Sequence, residues 1–168
     1  MKTFFWNCGQ RILHKIAMIA PGGYSLRPKL HRIRGASIGS KVWISQYVYL
    51  DEIHPESVSI GDNSSIGIRT SIIAHLYWGP RKKENPDKPV CIERDVFIGP
   101  HCVILPGVHI GEGAVVPAGT VVSRNVPAHA LWSSPKCHPM ARVGTPLTAE
   151  HSYEAFSQGL TPWSRKKG

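Results

Sequence analysis

From Ala36 to Ser123 an aliphatic residue returns every six positions, at Ile38, Ile44, Leu50, Ile60, Ile66, Ile72, Ile92, Ile98, Ile104, Ile110, Val116 and Val122. Two positions ahead of each stands a small or β-branched residue: Ala36, Val42, Val48, Val58, Ser64, Thr70, Val90, Val96, Cys102, Val108, Ala114 and Thr120. A period of six matches neither a helix, a heptad nor simple strand alternation, so it predicts a repeat of short strands and turns. Three hexads closing one triangular coil would point every aliphatic side chain at a common axis, stacked on its equivalent one coil away. The expected fold is mainly β, a parallel β-helix of about four coils. Glycine follows five of the aliphatic residues, at Gly39, Gly61, Gly67, Gly99 and Gly111; taken as corners, these predict backbone with positive φ.

The pattern divides the chain into three. Residues 1–35 form an N-terminal cap: Phe4, Phe5, Ile12, Leu13, Ile16, Ala17 and Ile19 recur at near-helical spacing, and Pro21-Gly22-Gly23 ends that helix. A basic stretch from Arg27 to Arg34 follows. Together they either seal the open end of the solenoid, which would otherwise expose core and strand edges, or make a weak peripheral membrane contact. Arg11, His14 and Lys15 break the apolar run well short of a membrane span, and no signal-peptide cleavage site is present. Residues 36–126 carry the repeat, with excursions at 51–59 and 75–90. Residues 127–168 form a C-terminal extension, with a short helix expected around Tyr153 to Phe156.

The two interruptions point to a site. Counting faces in threes puts Leu50 and Ile72 on the same face, so both excursions leave the prism at one edge, one coil apart. His75 stands at that edge where the long excursion begins; Asp51, Glu52 and His54 fall there one coil earlier, Pro106 and Gly107 one coil later. A carboxylate on one ring nitrogen and space at the other are what a histidine base needs. Each residue also has a plain reading: a loop histidine is usually only that, and His54 before Pro55 can merely shape the turn. Tyr77 and Trp78 open the long loop, where they can stack on a flat acceptor or anchor the loop on a neighbouring subunit.

At this level of detail the chain resembles the hexapeptide-repeat acyltransferases, and among them the saccharide O-acetyltransferases. The resemblance rests on the Ile-Gly hexads, on Val96-Phe97-Ile98-Gly99, on Ile104-Leu105-Pro106-Gly107-Val108-His109-Ile110-Gly111 and on Val116-Pro117-Ala118-Gly119-Thr120-Val121-Val122. It implies a left-handed helix, a homotrimer and acetyl-CoA as acyl donor. It also implies that His75, in Ile72-Ile73-Ala74-His75, is the catalytic base. Leu76 stands where relatives carry an acidic or polar residue, so the partner that orients His75 stays open. Coenzyme A would follow the groove between neighbouring solenoids, at positions matching Pro100, Gly107, Ala118, Ser123, Arg124, Pro135, Lys136 and Arg142. The acceptor would be a saccharide-like hydroxyl; an N-acyltransferase of an amino-sugar or other small acceptor, including an antibiotic, is the alternative, and a non-catalytic trimeric scaffold a further one. Relatives resembling γ-class carbonic anhydrases need paired histidines five residues apart, a spacing missing at His75, His101 and His109, so no metal is expected.

Composition adds less. A chain of 168 residues with 42% apolar residues suits one domain. Cys8, Cys91, Cys102 and Cys137 lack metal or disulfide-scaffold spacing, which fits reduced thiols in the cytoplasm. The net charge of +9 is carried by basic runs without an interleaved aromatic motif, so nucleic acid is not expected as a partner; an anionic cofactor or membrane surface would use the same charge.

Overall fold

The computed structural model describes residues 2–75, 88–132, 141–145 and 152–162. Its first coil holds β1 (Ser37–Ile38), β2 (Trp43–Ile44) and β3 (Tyr49–Leu50), and its second β4 (Val58–Ile60), β5 (Ser65–Ile66) and β6 (Ser71–Ile72). The third holds β7 (Val90–Ile92), β8 (Phe97–Ile98) and β9 (Val103–Ile104), and the fourth β10 (His109–Ile110), β11 (Val115–Val116) and β12 (Val121–Val122). Every third strand joins the same sheet, giving three parallel four-stranded faces. Register is set by the inward residues: Leu50 pairs with Ile72, Ile72 with Ile104, and Ile104 with Val122. A slip of one residue would turn the whole aliphatic column to solvent.

All twelve aliphatic residues and all twelve of their small companions are buried. Three of those companions carry hydroxyls into the core, and each donates to a carbonyl; Thr120 Oγ1 reaches that of Pro117 at 2.7 Å. Ser64 Oγ donates to the Glu93 carbonyl at 2.8 Å and Thr70 Oγ1 to that of Gly99 at 3.0 Å. Stacking continues past β12, since Val126 bridges Ile110 and Leu131 bridges Val115.

The glycines that follow the aliphatic residues do not have positive φ. That conformation falls two residues later in the hexad, at Lys41, Tyr47, Asn63, Arg69, Asp95, His101, Gly107, Gly113 and Gly119. The reason for glycine after the aliphatic residue is instead axial crowding. A Cβ built on Gly61 would lie 2.5 Å from the Arg94 nitrogen, and one on Gly99 2.5 Å from the Ala118 nitrogen, both backbone atoms of the next coil. A side chain there would push coils apart.

Two helices, α1 (Lys2–Ile19) and α2 (Leu26–Ile33), precede the solenoid. The basic stretch is helical, and its arginines turn inward. In the body of the prism each inward residue's carbonyl accepts an N–H from the preceding coil, as Ile60 does from Gly39 and Ile72 from Asp51. Ile38, Ile44 and Leu50 have no preceding coil. Arg32 Nε donates to the Ile38 carbonyl at 2.8 Å, Arg27 Nε to that of Ile44 at 2.6 Å, and Arg34 Nη1 to that of Leu50 at 3.1 Å. One arginine thus closes each face of the first coil, and much of the basic stretch is structural. Among the described side chains of α1 the apolar residues divide: Ile12, Ile16 and Ile19 are exposed, Leu13 is half-buried, and Ala17 is buried with His14 and with Ala20 just past the helix.

The chain divides into compact units at Met1–Ser134 and Pro135–Gly168. In the second, β13 (Ala141–Val143) pairs antiparallel with β14 (Leu160–Pro162), a pairing the repeat pattern did not signal. Helix α3 (Tyr153–Gln158) forms where a short helix was expected, and the Ala155 N–H donates to Ser152 Oγ at 3.1 Å.

Candidate active site

The site is built where β3 and β6 end. Leu50 and Ile72 are paired, so the chain departs from the prism at the same corner in two successive coils. The first departure is a tight turn closed by Asp51, whose Oδ1 accepts the N–H groups of Ile53 and His54, both at 2.9 Å. This is a local aspartate turn of the kind that short acidic side chains favour. Its second oxygen reaches the next coil. Asp51 Oδ2 accepts the Ala74 N–H at 2.7 Å and lies 2.6 Å from His75 Nδ1.

The carboxylate is fully buried and the His75 side chain is 12% exposed. Burial alone would raise the Asp51 pKa. The N–H groups of His54 and Ala74, the His75 side chain and the Ile53 N–H together outweigh burial and hold it below its ordinary value. The carboxylate is therefore ionised at neutral pH and can only accept, which places the imidazole proton on Nδ1. Nε2 is then the basic nitrogen, fixed in direction by a partner held by backbone.

The other polar candidates separate. The His54 ring centroid lies 6.1 Å from that of His75, so the two share the corner, and His54 Nδ1 is 3.2 Å from Glu56 Oε1. Glu52 turns away. Its Oε1 lies 3.6 Å from Arg11 Nε of α1, and it lines a cavity of about 390 Å³ with Arg11, Arg34 and Glu56. Tyr77 and Trp78 lie outside the described residues, as do Pro135 and Lys136. Arg142 is in β13 opposite Thr161, and its side chain is outside the described set. Gly107 has φ +79 and donates its N–H to the Lys88 carbonyl at 3.0 Å; a Cβ there would meet Lys88 at 3.5 Å. What that glycine adjoins is the strand-entry of the long excursion.

Ser123 and Arg124 are exposed and follow β12, on the sheet that also carries β3 and β6. They occupy the edge of His75 two coils along, about 10 Å by strand spacing. Pro100 and Ala118 occupy a different corner, where the Gly119 N–H donates to the Pro100 carbonyl at 2.8 Å. Among the described residues no three His, Cys, Asp or Glu side chains converge as a metal site.

Residues 92–124 match the family model for the bacterial transferase hexapeptide, six repeats. Over those residues the chain is similar to the hexapeptide-repeat transferases. A hexapeptide-repeat acetyltransferase of Vibrio cholerae O1 biovar eltor, solved with acetyl coenzyme A, superposes with a TM-score of 0.56 at 25% identity, covering 75% of this chain and 81% of that one. The architecture is a left-handed parallel β-helix of hexapeptide repeats. In sequence, the chain is 42% identical over 90 residues to the candidate acetyltransferase YvoF of Bacillus subtilis (strain 168), 54% of this chain and 51% of that one. It is 25% identical over 157 residues to the galactoside O-acetyltransferase of Escherichia coli (strain K12), 80% of this chain and 77% of that one. The chain thus spans only about half the length of YvoF.

One residue of this hexapeptide-repeat site escaped the sequence reading. Arg34 is buried, and besides Leu50 it donates through Nη2 to the Asp51 carbonyl at 2.7 Å and through Nη1 to His31 Nδ1 at 3.1 Å. It fixes the backbone of the residue that fixes His75. The only signal in the sequence was a third arginine in a stretch lacking acidic partners, which does not reveal the carbonyls it reaches.

Proposed function

We propose that the protein is an acetyl-CoA-dependent O-acetyltransferase acting on a hydroxyl of a saccharide-like acceptor, with His75 as general base. The observation that carries this reading is the 2.6 Å contact from His75 Nδ1 to the buried Asp51 carboxylate. It fixes both the tautomer and the direction of Nε2, the two properties a base needs before substrate arrives. His75 Nε2 takes the acceptor hydroxyl proton as the oxygen attacks the thioester carbonyl. The tetrahedral intermediate then expels the coenzyme A sulfur, which recovers that proton from the imidazolium. Asp51 stabilises the imidazolium without taking the proton itself.

The exposed pair Ser123 and Arg124, on the same edge, supports a phosphate-contacting role toward coenzyme A; Arg keeps its charge at any working pH. The outward residues of the second face, Trp43, Phe97 and Val115, are exposed in the single chain and support assembly as a homotrimer that would cover them. The thiols of Cys91 and Cys102 are free, which agrees with a cytoplasmic setting where acetyl-CoA is present. The galactoside O-acetyltransferase relative favours a saccharide over other hydroxyl acceptors. The reading is tested by incubating the protein with acetyl-CoA and a panel of saccharide, amino-sugar and small hydroxyl acceptors while following thiol release. Release with hydroxylated saccharides supports it; release only with amines would make the protein an N-acyltransferase.

A further inference from the structure

Among the described side chains, the cap helices leave most of their large aliphatic residues outside. In α1 the isoleucines Ile12, Ile16 and Ile19 are 55%, 45% and 59% exposed, while the buried positions go to His14 and Ala17. In α2 Leu26 and Ile33 are exposed, while Arg27, Pro28 and His31 are buried. A helix that only sealed a solenoid would bury its largest apolar side chains, because that is where their burial stabilises. Here arginines close the first coil, and Ile12, Ile16, Ile19, Leu26 and Ile33 are left outside.

The exposed half of α1 has its own order. At 100° per residue it reads Arg11, Lys15, Ile19, Ile12, Ile16 around the helix, a basic edge beside an apolar ridge. Arg11 lies 3.6 Å from Glu52, while Lys15 and, on α2, Lys29 are exposed. The charge balance of the surrounding chain is one-sided: the first 50 residues hold eight of the 20 Lys and Arg and none of the 11 Asp and Glu, and although Arg27 and Arg34 are buried, Lys15 and Lys29 are exposed.

We propose that the outer face of α1 docks on an anionic lipid surface, its isoleucine ridge entering the headgroup–acyl boundary and its basic edge meeting lipid phosphates. The arrangement is that of a helix lying in the membrane plane. No helix among the described residues is long and apolar enough to cross a membrane, so the contact is peripheral. Charge selects lipid over a second copy of the same face: neither helix carries an acidic residue, and Lys15 and Lys29 stay exposed beyond the Arg11–Glu52 contact, so two such faces would repel. The proposal uses no residue of the acyl-transfer site and stands or falls apart from it.

The test is co-sedimentation of the full chain with phosphatidylcholine vesicles, with and without phosphatidylglycerol, at low and high salt. The protein should pellet with phosphatidylglycerol vesicles, stay in solution with phosphatidylcholine alone, and be partly released by salt. Ile16→Asp with Ile19→Asp should weaken partitioning by about tenfold or more, and Lys15→Glu by several-fold, with melting temperature and sedimentation mass unchanged. Wild-type protein that ignores phosphatidylglycerol vesicles, or partitioning that survives the double substitution, overturns the proposal. So does a double variant of reduced assembly mass when the wild type binds no vesicles, an outcome that would give the ridge to a neighbouring copy.

Discussion

Asp51 and His75 stand 24 residues apart in sequence and in consecutive coils, yet their side chains meet at 2.6 Å. The contact follows from the fold's periodicity: two excursions leave the third face at the same corner, and the first residue of one receives the start of the other. Asp51 also accepts the N–H groups of Ile53, His54 and Ala74, so the base is oriented by a group that backbone holds on three sides.

Asp51→Asn should therefore be a catalytic lesion. An amide at this position can donate toward Nδ1 and shift the imidazole proton to Nε2, where the base must be unprotonated. Turnover should fall on the order of 10² or more, with acetyl-CoA affinity nearly unchanged. Steady-state kinetics alongside calorimetric titration of acetyl-CoA would show the split. A fall in affinity equal to the fall in turnover would instead mean that Asp51 shapes the donor site.

The arginine seal predicts a ranking of stabilities. Replacing Arg34 or Arg27 by methionine removes buried donors from the Leu50 and Asp51 carbonyls, or from those of Ile44 and Ala20. Each acceptor left dry costs about 1–3 kcal/mol. Arg32 is exposed, so water can replace it at Ile38 and Arg32→Met should cost less. Denaturant melts of the three variants check the order. Arg34→Met should also lower turnover, because it releases the Asp51 backbone.

Acid should loosen the cap before the solenoid. Burial, then Arg34, pulls His14 down to about 4 against the pull of Glu52 and Asp51, and burial with Arg34, His14 and Arg27 pulls His31 down to about 3, both from 6.5. Both are neutral when folded, whereas the unfolded chain binds their protons below 6.5. Their contribution is thus complete above that pH and is lost as pH falls toward 4 and then 3, by up to about 1.4 kcal/mol per pH unit for each histidine. Asp51, also depressed, adds its loss only below its ordinary 3.8. Thermal melts between neutral pH and mild acid should slope downward, and His31→Gln should flatten the slope.

Glycine substitutions separate two demands of the repeat. Gly61→Ala and Gly99→Ala drive a Cβ into the backbone of the next coil and should cost about 1–3 kcal/mol or more. Gly119 has φ +70 and nothing within 4 Å of an added Cβ. Gly119→Asn should cost about 1 kcal/mol or less, since asparagine tolerates that backbone and already occupies it at Asn63. Melting temperatures of the three variants provide the comparison.

These contrasts show what the sequence could convey. The hexads were legible because the core accepts only an aliphatic residue every six positions, and counting faces carried that regularity as far as the corner shared by Asp51 and His75. Contacts made once were not. Arg27, Arg32 and Arg34 look like surface charge because nothing periodic marks the carbonyls of Ile38, Ile44 and Leu50 as lacking donors. The glycines after Ile60 and Ile98 were assigned positive φ because sequence shows the residue type and not the neighbouring coil that crowds it. The spacing of the isoleucines in α1 fixes a stripe on the helix but not which side the body lies on, so it left sealing the solenoid and meeting a membrane both open.

The measurement that bears most directly on the proposed mechanism is single-turnover acetyl transfer by His75→Ala, on an acceptor used by the wild type. His75 sits at the corner and outside the stacked column, so the variant should keep its melting temperature, its assembly and its acetyl-CoA affinity. As a general base His75 should contribute on the order of 10² to 10⁴ in rate, and the variant should be slower by that factor. A folded His75→Ala protein that transfers acetyl groups at the wild-type rate would contradict the account and leave His54, at the same corner, as the residue to examine.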